Sequence, residues 1–317
     1  MKKVIDDERL MVKICDMYYN QDLNQKAISA QLGLSRPTVS RIISNGKERG
    51  IVKIIIDNLE GTDYVDLERE IENLYGLREV IVVKEKKDMD DQKNEIGKAA
   101  AQYLERVVKD GNIIGVSMGT TLGYISKYIS DSATKNLTFV PLIGGMGHLR
   151  MELHSNYLVE DFAKIFGGEF MLMHAPARVS GRQIKEELLK EDGISKIIKM
   201  GDQLDVALVG IGVPNSTSAI MATGYYNRVE MDKMRAKKVA GDICMQFYDI
   251  NGSTTPFKID NNVVGIEIKK LRRVPHAIGV ACGIEKVDAI RGAINGRYIN
   301  TLVTDVACAN ALIAAEK

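Results

Sequence analysis

Three glycine-rich segments each follow a short β-type run: Gly115-Val-Ser-Met-Gly-Thr-Thr-Leu-Gly123, Pro141-Leu-Ile-Gly-Gly-Met-Gly147 and Gly210-Ile-Gly-Val-Pro-Asn-Ser216. The first offers the hydroxyls of Ser117, Thr120 and Thr121, backbone N–H groups and the start of the next helix, a donor set suited to an anion such as phosphate. It lacks the Gly-Lys-Ser/Thr ending of a Walker loop and the three-glycine dinucleotide fingerprint. Three such strand ends can converge on one pocket, which turn-making alone does not require. Two further segments add polar groups, Gly241 to Gly252 and Gly279 to Ile290. In the second, Lys286 opens a helix and supplies a cation.

A different chemistry is written between Asn24 and Arg49. Two short helical patterns flank Gly33, Ser35 is placed to cap the second, and Pro37 falls in that helix's first turn, where its missing N–H costs little. This is a helix-turn-helix pattern for DNA. Val39, Ile42 and Ile43 form the buried stripe of the second helix, and its other face carries Arg36, Thr38, Ser40, Arg41 and Lys47. These residues are expected to reach bases and phosphates in the major groove, with Gln25 and Lys26 clamping the backbone from the first helix. Asp7 to Tyr19 predicts a third helix, and Ile51 to Ile56 a strand that serves as a wing.

The elements that must hold these groups follow from length and periodicity. At 317 residues the chain exceeds what a helix-turn-helix module uses, and about 100 to 200 residues per domain predicts a small and a large unit. We place them at 1–57 and 58–317. Formal net charge is only +1, so the basic cluster from Arg36 to Lys53 is local, as suits a DNA-reading head on a neutral body. Beyond a charged helix at Val65 to Tyr75, strands are expected at Val80–Lys84, Asn112–Ser117, Leu137–Ile143, Glu169–His174, Val206–Ile211, Gly265–Lys269, His276–Cys282 and Asn300–Thr304. Helices alternate with them at Gln92–Lys109, Leu122–Ile129, Ser155–Phe166, Gly181–Glu191, Gly193–Gly201, Glu285–Asn295 and Asp305–Glu316. The fold class is therefore α/β, a doubly wound, mainly parallel sheet whose strand carboxyl ends hold the ligand.

Cys15, Cys244, Cys282 and Cys308 are scattered, with no Cys-x-x-Cys pair and no histidine at metal-ligand spacing. They read as reduced thiols, three of them in the core, and no metal or cofactor is expected. The basic start Met1-Lys2-Lys3 is interrupted by Asp6, Asp7 and Glu8, and no long apolar run follows, so the expectation is a cytoplasmic protein without a membrane partner.

The order of these segments resembles the SorC/DeoR-type family of bacterial sugar-responsive transcriptional regulators. The resemblance runs from Gln25–Ile43 through Ser117-Met-Gly-Thr-Thr121, Gly144-Gly145, Gly241-Asp242 and Phe247-Tyr-Asp249 to Gly279–Ile290 and Tyr298–Asp305. It implies an effector domain like the sugar-phosphate isomerases, a phosphorylated sugar or polyol as ligand, and a dimer or tetramer on double-stranded operator DNA. It also implies roles: Ser117, Gly119, Thr120 and Thr121 around phosphate, Lys286 as the cation, Gly144 and Gly145 for close approach of the sugar, and Asp249, Asn156 and His154 for its hydroxyls. Some relatives carry a basic residue before the glycine pair, where this chain has Ile143; covalent capture there is excluded, and a second phosphate would call on Arg150 or Arg178.

The rival is an isomerase or deaminase with a DNA-binding head. Those reactions need a general base beside the sugar's reacting carbons. The turn after Leu208–Gly212 is Val213-Pro-Asn-Ser-Thr217, without His, Asp or Glu, so no catalytic residue is expected. A constitutive DNA-binding protein whose large domain only oligomerises would leave the three loops unexplained.

Overall fold

The computed structural model describes residues 4–54, 64–130, 136–146, 153–215 and 219–316, which form two compact units, Met1–Gly61 and Thr62–Lys317. In the first, α1 (Glu8–Tyr19), α2 (Gln25–Leu32) and α3 (Arg36–Glu48) pack around Met11, Ile14, Ile28, Val39 and Ile42, all without solvent exposure. Burial of that kind contributes about 1.5 to 3 kcal/mol per large aliphatic side chain. Local chemistry sets the helix boundaries. Asp7, Asn24 and Ser35 each cap a helix by accepting a backbone N–H, and Gly33 closes α2 at φ 63°, left-handed backbone that a side chain would resist. Ser29 Oγ donates to Leu34 O at 2.5 Å and draws the turn in. The expected wing is not a strand over Ile51–Ile54, while Ile55 and Ile56 lie outside the described residues.

The second unit begins with α4 (Val65–Tyr75), β1 (Glu79–Val83), α5 (Met89–Val107), β2 (Ile113–Val116) and the short α6 (Leu122–Ile125). There follow β3 (Thr138–Pro141), α7 (Ser155–Phe166), β4 (Glu169–Phe170), α8 (Arg182–Leu188), α9 (Asp192–Met200), β5 (Val206–Gly210), α10 (Ala219–Ala222) and α11 (Arg228–Ala236). The chain then makes a hairpin of β6 (Val239–Ile243) and β7 (Gln246–Asp249), and ends with β8 (His276–Val280), α12 (Val287–Asn295), β9 (Thr301–Asp305) and α13 (Val306–Ala314).

Seven strands form one sheet in the order β1-β9-β8-β5-β2-β3-β4, and its pairings are parallel. Central β5, Val-Ala-Leu-Val-Gly, is apolar almost throughout because both faces are covered. Val206 and Leu208 face a core with Leu104, Phe139 and Phe162, whereas Ala207 and Val209 face one with Ile71, Ile290 and Leu312. β2 and β8 flank β5, and the chain leaves β2 outward towards β3 but leaves β5 through the hairpin to β8. Strand order thus switches between β2 and β5, the position where open parallel sheets leave a crevice at their carboxyl ends.

Four expectations need correction. Gly265–Lys269 is not a strand: Gln246 Nε2 donates to Ile266 O (2.8 Å), Ile268 N donates to Gln246 Oε1 (3.0 Å), and a 3₁₀ turn runs from Ile268 to Arg273. Backbone pairing is limited to the isolated bridge of Gly265 to Ile143, with Ile266 N donating to Leu142 O at 2.9 Å, and the side-chain amide takes over beyond it. Glu169–His174 pairs only over Glu169–Phe170, and Leu122–Ile129 passes into a 3₁₀ turn at Ser126. All four cysteines, not three, are buried. The β6–β7 hairpin and α11 are absent from the sequence reading altogether.

Candidate functional site

At the carboxyl ends of β2, β5 and β8 lies a cleft of about 380 Å³. Met118 to Leu122 form one wall, Gly210 to Val213 the floor, and Val280 to Cys282 with Glu285 and Lys286 the opposite wall. Of the expected effector residues, Gly119, Thr120, Thr121 and Lys286 meet here. Gly119 has φ 146°, and its N–H donates to Leu153 O at 3.3 Å, so the loop turns its two threonines into the cleft. Lys286 Nζ donates to Ile211 O at 2.8 Å.

The structure places the other expected residues elsewhere. Ser117 is 1% exposed; its hydroxyl donates to Met118 O (3.0 Å) and accepts from Gly210 N (3.2 Å), tying β2 to β5 instead of reaching a ligand. Gly144 and Gly145 let three backbone segments approach: a Cβ on Gly144 would lie 2.6 Å from Ala175 O, and Gly145 N donates to Ala175 O at 2.8 Å. Asn156 spends its amide on Met173, donating to its O (3.1 Å) and accepting from its N (3.0 Å). Asp249 Oδ1 accepts from Asn251 N (3.0 Å) and Ser253 N (2.8 Å), fixing the turn after β7. His154 precedes α7 and does not line the cleft. Arg178 is committed to Glu230 (2.8 Å) and to the face of Tyr226 (4.2 Å), while Arg150 lies outside the described residues.

Sequence reasoning missed the cleft's central acid. Asp242 on β6 is 4% exposed, and its Oδ2 accepts from Met245 N at 3.2 Å while Oδ1 is buried without a hydrogen-bond partner. Burial pushes its carboxyl up to about 6, against the downward pull of the Lys286 ammonium and the Met245 N–H. The turn joining β6 to β7 holds Cys244 and Met245 at φ 52° and 58°, strained values for residues with side chains. Cys244 lines the cleft beside Asp242, and burial raises its thiol to about 12, which keeps it protonated and poorly nucleophilic. Lys93 and Asn215 also line the cleft; Asn215 falls in the third glycine-rich segment, whereas Lys93 sits in no segment the motifs single out. The pairing Gly241-Asp242 was the available signal; without a hairpin, its carboxylate had no assigned position.

A buried carboxylate with an open oxygen, an ammonium and two loop hydroxyls make a site for a ligand that carries both hydroxyls and negative charge. Hydroxyls can donate to Asp242. An anionic group can accept from Thr120, Thr121 and Lys286.

In the first unit, Arg36, Arg41 and Lys47 are exposed along α3, and Arg36 and Arg41 have no intramolecular partner among the described residues. Lys47 Nζ stands 5.7 Å from the centre of the Tyr19 ring. Thr38 Oγ1 is 2.7 Å from Ser35 Oγ at the cap, and Ser40 is half-buried. Lys26 is exposed and Gln25 half-buried at the start of α2. Arg49, just beyond, pairs with Glu8 and braces α3 against α1.

The family model described as "Putative sugar-binding domain" matches residues 60–314. The chain is similar to the sorbitol operon regulator of Klebsiella pneumoniae, 36% identical over 311 residues that cover 97% of this chain and 98% of that one. It is also similar to the deoxyribonucleoside regulator of Bacillus subtilis, 33% identical over 97% of this chain and 98% of the relative. The crystal structure of the full-length Klebsiella pneumoniae regulator superposes with a TM-score of 0.74 at 35% identity, covering 97% of this chain and 99% of that one.

Proposed function

This chain belongs to the SorC/DeoR-type family of sugar-binding transcriptional regulators, and we propose that a phosphorylated sugar or polyol in the cleft beside Asp242 and Lys286 sets its hold on double-stranded operator DNA. The observation that carries the reading is one cleft holding Thr120, Thr121 and Lys286 opposite the unpartnered Oδ1 of Asp242. Gly119, Thr120, Thr121 and Lys286 take the phosphate, and Asp242 takes sugar hydroxyls. Ser117 braces the cleft through Met118 and Gly210, while Gly144, Gly145, Asn156 and Asp249 serve backbone contacts elsewhere in the unit.

The head comprises 1–57 and the effector unit 58–317. In the head, Arg36, Thr38, Ser40, Arg41 and Lys47 read DNA from α3, with Gln25 and Lys26 on the backbone. Paired half-sites about one helical turn apart need two heads, so the working form is a homo-oligomer, a dimer or tetramer, in the cytoplasm. No helix among the described residues is long and apolar enough to cross a membrane.

One observation favours an enzyme: Asp242, with a carboxyl pushed up to about 6, has the properties of a general base. Against it, no histidine among the described residues lines the cleft, and the other lining carboxylate among them, Glu285, is exposed. The relatives' names are those of regulators. A thermal-shift screen of phosphorylated and plain sugars and polyols tests the binding, since a ligand at 100 times its Kd adds about 2.7 kcal/mol of stability. Hits are then followed by NMR in deuterated water. Stabilisation by phosphorylated members with no loss of their carbon-bound protons supports a sensor, whereas exchange at the carbon beside the carbonyl identifies an isomerase.

A further inference from the structure

A second cavity, of about 520 Å³, opens between the start of α5, α6 and α7. Lys93 and Thr120 line both it and the effector cleft, so the two spaces adjoin at these side chains. The cleft matches the lower end of the range in which small ligands bind, about 300 to 1,000 Å³. The adjoining space is larger again.

Its lining favours one kind of occupant. Tyr124 and Tyr157 present rings and Leu158 and Ile165 add apolar surface, while Asp90 and Asp161 stand among Lys93 and Lys127. Among the described residues the charges balance: Lys93 Nζ lies 3.5 Å from Asp90 Oδ1, and Lys127 Nζ lies 4.3 Å from the centre of the Tyr124 ring. A second phosphate needs surplus positive charge and is disfavoured beside two carboxylates. A neutral sugar ring suits the space, because its C–H faces lie against aromatic rings while its edge hydroxyls bond to carboxylates and ammonium groups.

The wall is fixed in place. α5 and α6 touch so closely at Gly97 that a Cβ there would lie 2.7 Å from Tyr124 Cβ. Tyr157, on the first turn of α7, is 39% exposed, a large apolar surface open to a ligand. We infer that the effector is a two-ring phosphate: a phosphorylated sugar seated in the cleft, joined by a glycosidic bond to a second ring that lies on Tyr124 and Tyr157. The inference rests on the phosphosugar reading above and names the class of sugar phosphate.

The test is calorimetric titration of the full-length protein with glucose phosphate, maltose and cellobiose phosphates, and an aryl glucoside phosphate. The best two-ring ligand is expected to bind about tenfold tighter than glucose phosphate. Tyr157→Ala should erase that increment and leave glucose phosphate unchanged, and Lys127→Ala should lower it in part. Thermal melting of each variant confirms its fold. An aryl glucoside that binds tightest, with the same dependence on Tyr157, supports the subsite and makes its occupant an aglycone. Equal affinity for one-ring and two-ring phosphates, or an increment indifferent to Tyr157, overturns the inference while leaving the phosphosugar reading intact. Failure of every phosphate to bind, with Thr120→Ala indistinguishable from wild type, removes both.

Discussion

Gly212 and Asp242 face one another across an antiparallel bridge, Gly212 N donating to Asp242 O at 2.9 Å and Asp242 N to Gly212 O at 3.0 Å. A Cβ on Gly212 would collide with Asp242 Oδ1. The strand-end loop of β5 thus requires glycine so that the buried carboxylate can stand beside Lys286 at the floor of the cleft.

Gly212→Ala should therefore displace the Asp242 carboxylate. Effector affinity is expected to fall by about tenfold or more, with a stability cost of about 1 to 3 kcal/mol for the crowding. Calorimetry and thermal melting measure the two effects. Unchanged affinity would show that the bridge does not position Asp242.

Asp242 also sets a pH dependence whose sign is fixed. Its carboxyl rises from an ordinary 3.8 to about 6 in the folded protein, so between these values the folded state holds the extra proton. Stability therefore falls as pH rises through that window, and the cost of the buried charge is complete above it. Asp242→Asn should stabilise the ligand-free protein by about 1 to 3 kcal/mol near pH 7.5, with the gain shrinking towards pH 4, and should weaken the effector. Denaturant melts across pH check this. A gain that grows on acidification has the wrong sign for the mechanism.

Legibility differed between the two units for physical reasons. In the head, cap, glycine, proline and apolar stripe all act locally and agree, so Gly33, Ser35, Pro37 and Val39 announce the helices that form. The parallel strands were legible as apolar runs. Asp242 was not, because its hairpin turns through Cys244-Met245, without the asparagine or glycine that marks such turns. Asp249, Asn156 and Ser117 have the right chemistry for a ligand, but nearby backbone groups claim their polar atoms. Gly265–Lys269 reads as a strand, yet beyond an isolated bridge at Gly265 its partner is the Gln246 side chain, a long-range contact no local pattern reveals.

The exposed arginines of α3 should carry DNA affinity. Arg36→Ala and Arg41→Ala are each expected to cost about 1 to 3 kcal/mol on an operator fragment, on a wild-type affinity that falls steeply with salt. Fluorescence anisotropy at matched salt reads the loss, and light scattering of the same samples should give at least a dimer. Wild-type affinity in both variants would place another element in the groove, and a monomer on DNA would contradict the paired-head account.

The central claim, that the cleft holds a phosphate, is tested most directly by titrating Thr120→Ala and Lys286→Ala with the phosphorylated and plain forms of the best sugar from the screen. Thr120 and Lys286 line the cleft together, and hydrogen bonds to a charged group are worth about 1.5 to 3 kcal/mol each. Both variants should bind the phosphorylated form about tenfold or more weakly and hardly change the poor affinity for the plain form. Equal losses for the two forms would mean that these residues shape the cleft without holding phosphate, which contradicts the account.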